Sequence, residues 1–187
     1  MYARGMYRPE RHASNVLSAA VEALSTELEA ATAEAAEGPG GRGAAITALA
    51  AHASGWPIDR LAWSLGLSHS RLVRVVDQLE ADGLATRSRG TEDRRTVHVT
   101  LTDAGWAAAR RITDARLALL DAEVAALDEA DREALARICG SILARRVVTA
   151  RHAQRTCRFC DPDACGHHGG HCPVTRAADV HRAAGAA

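Results

Sequence analysis

The strongest constraint on this chain lies between Pro57 and Leu101, where apolar spacing switches from a helical period to an alternating one. Pro57 suits the first turn of a helix carrying Ile58, Leu61, Ala62 and Leu65, and Gly66 supplies a tight turn after it. Ser68 is a good N-cap for a helix to Asp82, whose apolar stripe is Leu72, Val75, Val76 and Leu79. Gly83 stands where a helix-ending glycine belongs. Residues 84–89 and 96–101 then read as short strands around the polar turn 90–95, which makes a hairpin.

Helices should flank this block. Residues 12–37 read as one long helix through Val16, Ala20, Leu24 and Leu28. The Gly-rich run 38–43 reads as a flexible loop, and 44–53 as a second helix through Ile46, Leu49 and Ala50 that Ser54 and Gly55 break. Thr102 should cap a long helix through Trp106, Ile112, Leu119 and Val124. Asp128 should open another, with Leu135, Ile138, Cys139, Ile142 and Leu143 on one face. Trp56, Trp63 and Trp106 are expected as core anchors, and Cys139 as an inert core residue. Composition agrees: 47% of the residues are apolar but only 3% aromatic, so alanine carries much of the apolar count and favours helices. A chain of 187 residues suits one well-cored domain and is barely long enough for two.

A short helix supporting a capped second helix, followed by a hairpin, is the winged helix-turn-helix arrangement. Its second helix is sized for a DNA major groove, and its hairpin for the neighbouring backbone or minor groove. With Leu72, Val75, Val76 and Leu79 turned inward, Ser68, His69, Ser70, Arg71, Val73, Arg74 and Gln78 are the candidate DNA contacts. Val73 would meet a thymine methyl, and the others base edges or phosphates. The hairpin adds Arg87, Arg89, Arg94 and Arg95 against only Glu92 and Asp93. Net formal charge is zero and every non-histidine base is Arg, so a DNA-binding surface must come from local segregation of charge.

The segments Gly66-Leu67-Ser68, Leu79-Glu80 with Gly83-Leu84, Asp93-Arg94-Arg95, and Val99-Thr100-Leu101-Thr102 with Gly105 together resemble the MarR family. The likeness runs from the first helix to Arg151 and leaves the C-terminal tail uncovered. It implies a mainly α fold with a small β-hairpin wing, and a homodimer joined by the N- and C-terminal helices. On that pattern residues 11–37 and 102–152 form the dimerisation region, 44–101 the winged helix-turn-helix, and 153–187 a separate tail. The resemblance further implies reading of a pseudo-palindromic operator in double-stranded DNA, repression, and release by a small-molecule inducer or an oxidant. It also implies that Asp93 and Arg95 order the wing tip at the minor groove.

Past His152 the character changes. Cys157, Cys160, Cys165 and Cys172 fall within sixteen residues, interleaved with His167, His168 and His171. Two residues between Cys157 and Cys160 is the usual spacing for thiolates gripping one metal from a tight turn. Cys165 and Cys172 would complete a zinc site, or one of the three histidines would replace a thiolate. An iron–sulfur cluster and a thiol switch are the alternatives. The tail cannot bury a core unaided and needs such a staple.

No Ser/His/Asp grouping, phosphate loop or paired-carboxylate motif stands out, so an enzyme is not expected. The N-terminus lacks a signal peptide's apolar run and no stretch is long enough to span a membrane. A cytoplasmic DNA-binding regulator is therefore the expectation. Its rivals are a metal- or iron–sulfur-dependent redox protein with secondary DNA binding, and a protein-interaction adaptor.

Overall fold

The computed structural model describes residues 8–38, 41–90 and 96–185. In chain order they form α1 (Pro9–Ala35), α2 (Arg42–Ala48) running into one π-helical turn (Leu49–Ala53), and β1 (Trp56–Pro57). Next come α3 (Ile58–Leu65), α4 (His69–Ala81), β2 (Ala85–Arg89) and β3 (Val97–Leu101). Four helices close the chain: α5 (Asp103–Ala125), α6 (Glu129–Arg146), α7 (Ala150–Thr156) and α8 (Pro173–Gly185).

The helix caps lie where local chemistry puts them. The hydroxyl of Ser68 accepts from the Arg71 N–H at the start of α4, and that of Thr102 from the Gly105 N–H at the start of α5. The carboxylate of Asp128 does the same for Asp131 at α6. Each cap satisfies one of the orphan donors of a first helical turn. Gly66 ends α3 at φ 67°, a left-handed conformation that suits glycine.

The expected hairpin is present, with Ala85 opposite Leu101 and Arg89 opposite Val97. Sequence reading missed its third strand. The sheet order is β1-β3-β2, with Trp56 opposite Val99. Pro57 therefore ends an edge strand and caps α3, rather than occupying the first helical turn. An edge is where a residue without an N–H can sit. Gly55 holds the strand in place: its N–H donates to the Val99 carbonyl at 3.0 Å, and its carbonyl accepts from His98 Nδ1 at 2.5 Å.

The core joins the sheet to α2–α5. Ile46, Leu49, Leu61, Leu72, Val76, Leu79, Val99 and Ile112 are fully buried, and Val75 is nearly so. Each such side chain contributes about 1.5–3 kcal/mol relative to exposure.

Three expectations need correction. The run 38–43 is not simply a loop: Arg42 opens α2 and is buried, its Nε donating to the Ala36 carbonyl and its Nη1 pairing with Asp82 at 2.5 Å. Trp106 is no core anchor but 39% exposed; Gly105, Ala108, Ala109 and Ile112 turn inward instead, because α5 passes too close to the core for a large ring. Cys139 is exposed, and α6 buries no residue at all. Trp56 and Trp63 are half-buried, with the guanidinium groups of Arg60 and Arg151 over their rings at 3.9 and 4.2 Å.

The contact of α1 with α2 is tight enough to test. A methyl added at Gly43 would lie 2.5 Å from Thr32 Cγ2, a branched side chain that is itself buried. Gly43→Ala should lower unfolding free energy by about 1–3 kcal/mol in urea titration. An unchanged midpoint would mean that α1 and α2 do not meet as described.

The tail forms its own small core from Val147, Cys172, Val174 and Ala178. It docks against the winged helix through α7 and α3, so it is more ordered than its composition suggests. No helix among the described residues is long and apolar enough to cross a membrane.

Candidate nucleic-acid interface and cysteine pocket

Burial of Leu72, Val75, Val76 and Leu79 leaves the opposite face of α4 to solvent. Ser68, His69, Ser70, Arg71, Arg74 and Gln78 all stand exposed there, from the N-cap through about three turns. Several are preset by neighbours. His69 Nδ1 donates to Asp59 of α3 at 2.6 Å, and Arg74 Nε donates to the Ser70 carbonyl at 3.3 Å. The Ser68 and Ser70 hydroxyls lie 3.4 Å apart. Val73 differs from the rest: it is half-buried and packs against the core.

The hairpin is bolted to α4 by Arg87. Its Nη1 reaches Asp77 and Glu80, both at 2.6 Å, and its Nη2 donates to the Val73 carbonyl at 3.1 Å. The Arg87 N–H adds a bond to Glu80 Oε1 at 2.8 Å. Arg87 is thus a brace between helix and wing, its charge met by two carboxylates within the fold. Arg89 is exposed at the end of β2. Asp93, Arg94 and Arg95 lie outside the described residues. Asp59, Asp77 and Glu80 were missed as positioning groups, although Asp77 and Glu80, three apart, share one helix face.

A groove-sized helix, a capped N-terminus and a braced wing make a winged helix-turn-helix head. Residues 48–97, which span this head, match the MarR family. The likeness in fold extends further than this segment. YusO from Bacillus subtilis is 21% identical with a TM-score of 0.58, over 73% of this chain and 97% of its own. RV1404 from Mycobacterium tuberculosis is 22% identical with a TM-score of 0.61, over 75% of this chain and 96% of its own. A mutant of S. aureus MepR bound to an oligodeoxyribonucleotide is 18% identical with a TM-score of 0.53, over 71% and 96%. Among curated proteins nothing matches the chain.

The cysteine tail lies beyond the MarR match, yet it touches the MarR-type head. Cys157, Cys160, Cys165 and Cys172 line one pocket of about 200 Å³, together with Ala51, His52 and Trp56 of the head. Turns bring the thiols round. Cys160 N–H donates to the Cys157 carbonyl and Cys165 N–H to the Asp161 carbonyl, while Asp161 Oδ1 accepts from Asp163 and Ala164. No disulfide joins the cysteines.

The thiols interact in series. A hydrogen bond from Cys160 holds the Cys157 thiol below its ordinary value, and the same bond, with burial, pushes Cys160 far up. Burial and Cys160 push Cys165 up to about 12. Burial raises Cys172, but donors from Thr175 and Val174 outweigh it and leave that thiol lowered.

His167, His168 and His171 are all exposed. His167 reaches the pocket rim but bonds Thr175 at 2.8 Å, and His168 stacks edge-on against it. As the side chains stand, no three His, Cys, Asp or Glu groups among the described residues are placed to hold a metal ion.

Proposed function

We propose that this chain is a cytoplasmic, non-enzymatic transcriptional regulator that binds a pseudo-palindromic operator in duplex DNA as a homodimer, and represses. The observation that carries the reading is the exposed polar face of α4, opposite a fully buried stripe and braced to the wing by Arg87. The DNA-bound MepR of similar fold supports the partner. The exposed apolar residues Val16, Leu17 and Val21 on α1, and Leu135, Ile138 and Leu143 on α6, supply the surface for a second copy.

A binding assay on duplexes selected from a random library tests this. Affinity should fall by about 10³–10⁵ between 50 and 200 mM salt if some 6–10 phosphates are neutralised. Arg74→Ala should cost about 1–3 kcal/mol and relax specificity at one base position. Binding with no duplex preference would instead favour a protein-interaction adaptor. Thiol or cluster turnover without DNA would favour a redox protein.

A pocket of about 750 Å³ between α1, α2, α5 and the tail is where an inducer would act. Arg71, Arg116, Arg158 and Phe159 line it, and Arg71 also belongs to the exposed face of α4. The Arg116 guanidinium lies 4.1 Å from the Phe159 ring centre, and burial and Arg158 lower its pKa. An aromatic carboxylate or phenolate fits such a site by stacking and by charge. Arg116→Met should leave DNA affinity intact and abolish release by benzoate-class ligands in the same assay. Release unaltered by that substitution would place the inducer elsewhere.

A further inference from the structure

The Nε2 of His52 is buried with no hydrogen-bond partner, which leaves that ring nitrogen available to an ion. A buried polar atom without a partner is costly and calls for an explanation. His52 lies on the π-helical turn of the head, and it shares a pocket with all four tail thiols. The rest of the lining is apolar at Ala51, Trp56, Ala153 and Pro162 and polar at Gln154 and His167.

We infer that this pocket is a thiophilic metal centre, with ligands drawn from Cys157, Cys160, Cys165, Cys172 and the Nε2 of His52. Soft thiolates with an imidazole select zinc or iron–sulfur chemistry over hard cations. Each ligating thiol releases its proton to solvent on binding. No three of these groups are placed to hold an ion as they stand, so closure requires rotation about χ1 between staggered wells. The pocket, about 200 Å³, has room for a single zinc ion or for sulfide-bridged iron.

The position of His52 makes the centre more than a clip for the tail. A ligand from the head and ligands from the tail would cross-link the two through the metal. The tail already grips α2 and α3, the latter being the helix that supports α4. Arg60 Nε donates to Gln154 Oε1 at 3.3 Å, His152 packs edge-on against Trp63, and the Thr47 hydroxyl donates to the Arg158 carbonyl at 3.0 Å. Metal occupancy therefore sets how firmly the reading head is held, and so its DNA affinity. This last step rests on the proposed DNA-binding function; the metal site does not.

The test uses the full chain purified without oxygen. Elemental and sulfide analysis should find either about one zinc per chain without colour or iron with sulfide and visible absorption. Either supports the centre and identifies its metal. Cobalt(II) added to metal-stripped protein should give thiolate charge-transfer bands. Cys157→Ser with Cys160→Ser should remove metal and bands. His52→Ala should weaken metal retention by about 10–100-fold while far-UV circular dichroism stays native. Removing the metal should change operator affinity by about 5–150-fold, and His52→Ala should blunt that change. Folded protein with neither metal nor cobalt bands overturns the site. Metal binding with unaltered operator affinity overturns the coupling and leaves the site standing. Absence of any duplex binding sinks the DNA reading alone, because metal content is measured without DNA.

Discussion

Gly105→Ala should lower the unfolding free energy by about 3 kcal/mol, at the upper end of what overpacking costs. The added methyl would sit 2.0 Å from the Leu84 carbonyl oxygen and 3.1 Å from Leu101 Cβ. The carbonyl cannot yield cheaply, since it accepts from the Thr102 N–H at 3.1 Å, and the Thr102 hydroxyl is bonded to the Gly83 carbonyl. The clash therefore falls where α5, the end of α4 and the wing converge. A loss of that size should drop the melting temperature by about 6–12 °C in a chain of this length. Gly83→Ala is the informative control. Its φ is 69° but the space around it is open, so the cost is only that of a left-handed alanine, about 1–2 kcal/mol. Equal effects of the two substitutions would show that the α5–wing contact is looser than described.

What could be read from sequence follows how local each feature is. The stripe Leu72, Val75, Val76 and Leu79, the caps Ser68 and Thr102 and the helix start at Asp128 depend on neighbours within one helical turn or two, and all stand as expected. Strand β1 depends on Val99, far along the chain, and two residues carry no periodicity. Arg42 looked like part of a glycine loop, because nothing local says that Asp82 will meet it. Trp106 and Cys139 failed for a related reason. Apolar spacing marks a face, but not which face finds a partner within the same chain.

The same distinction runs through the candidate sites. The outward residues of α4, Val73 apart, were legible as the complement of its buried stripe. Arg87 was not legible as a brace, because an arginine in a hairpin has the same sequence signature whether it meets phosphate or carboxylate. Only the approach of Asp77 and Glu80 decides. The cysteines announced themselves by density and spacing. His52 did not, since a single histidine on an alanine-rich helix reads as an ordinary half-buried residue until Cys157–Cys172 fold back onto it.

Replacing Leu135 and Ile138 together by Asp should give a one-chain species and weaken operator binding by about 10²–10⁴. Helix α6 is 18 residues long and buries none of them in the single chain. A helix of that length is barely stable in water on its own strength. Its Asp128 cap and its last-turn Arg145 and Arg146 add about 0.3–1 kcal/mol each, too little to keep 18 residues ordered. Packing must supply the rest. Contacts with α8 supply part, but Leu135, Ile138 and Leu143 stay 39–49% exposed. In the proposed dimer, two-fold pairing would bury this face against its own copy or against α1, where Val16, Leu17 and Val21 are as exposed. That symmetry would also set two α4 helices about one DNA turn apart, at roughly 34 Å, so that the second half-site is bound at high effective concentration. Charges at Leu135 and Ile138 remove the pairing without touching the reading face. Light scattering and DNA titration on the same sample then separate the cases. A dimer that survives both charges would move the interface elsewhere, and a monomer with undiminished affinity would mean that one copy of α4 suffices.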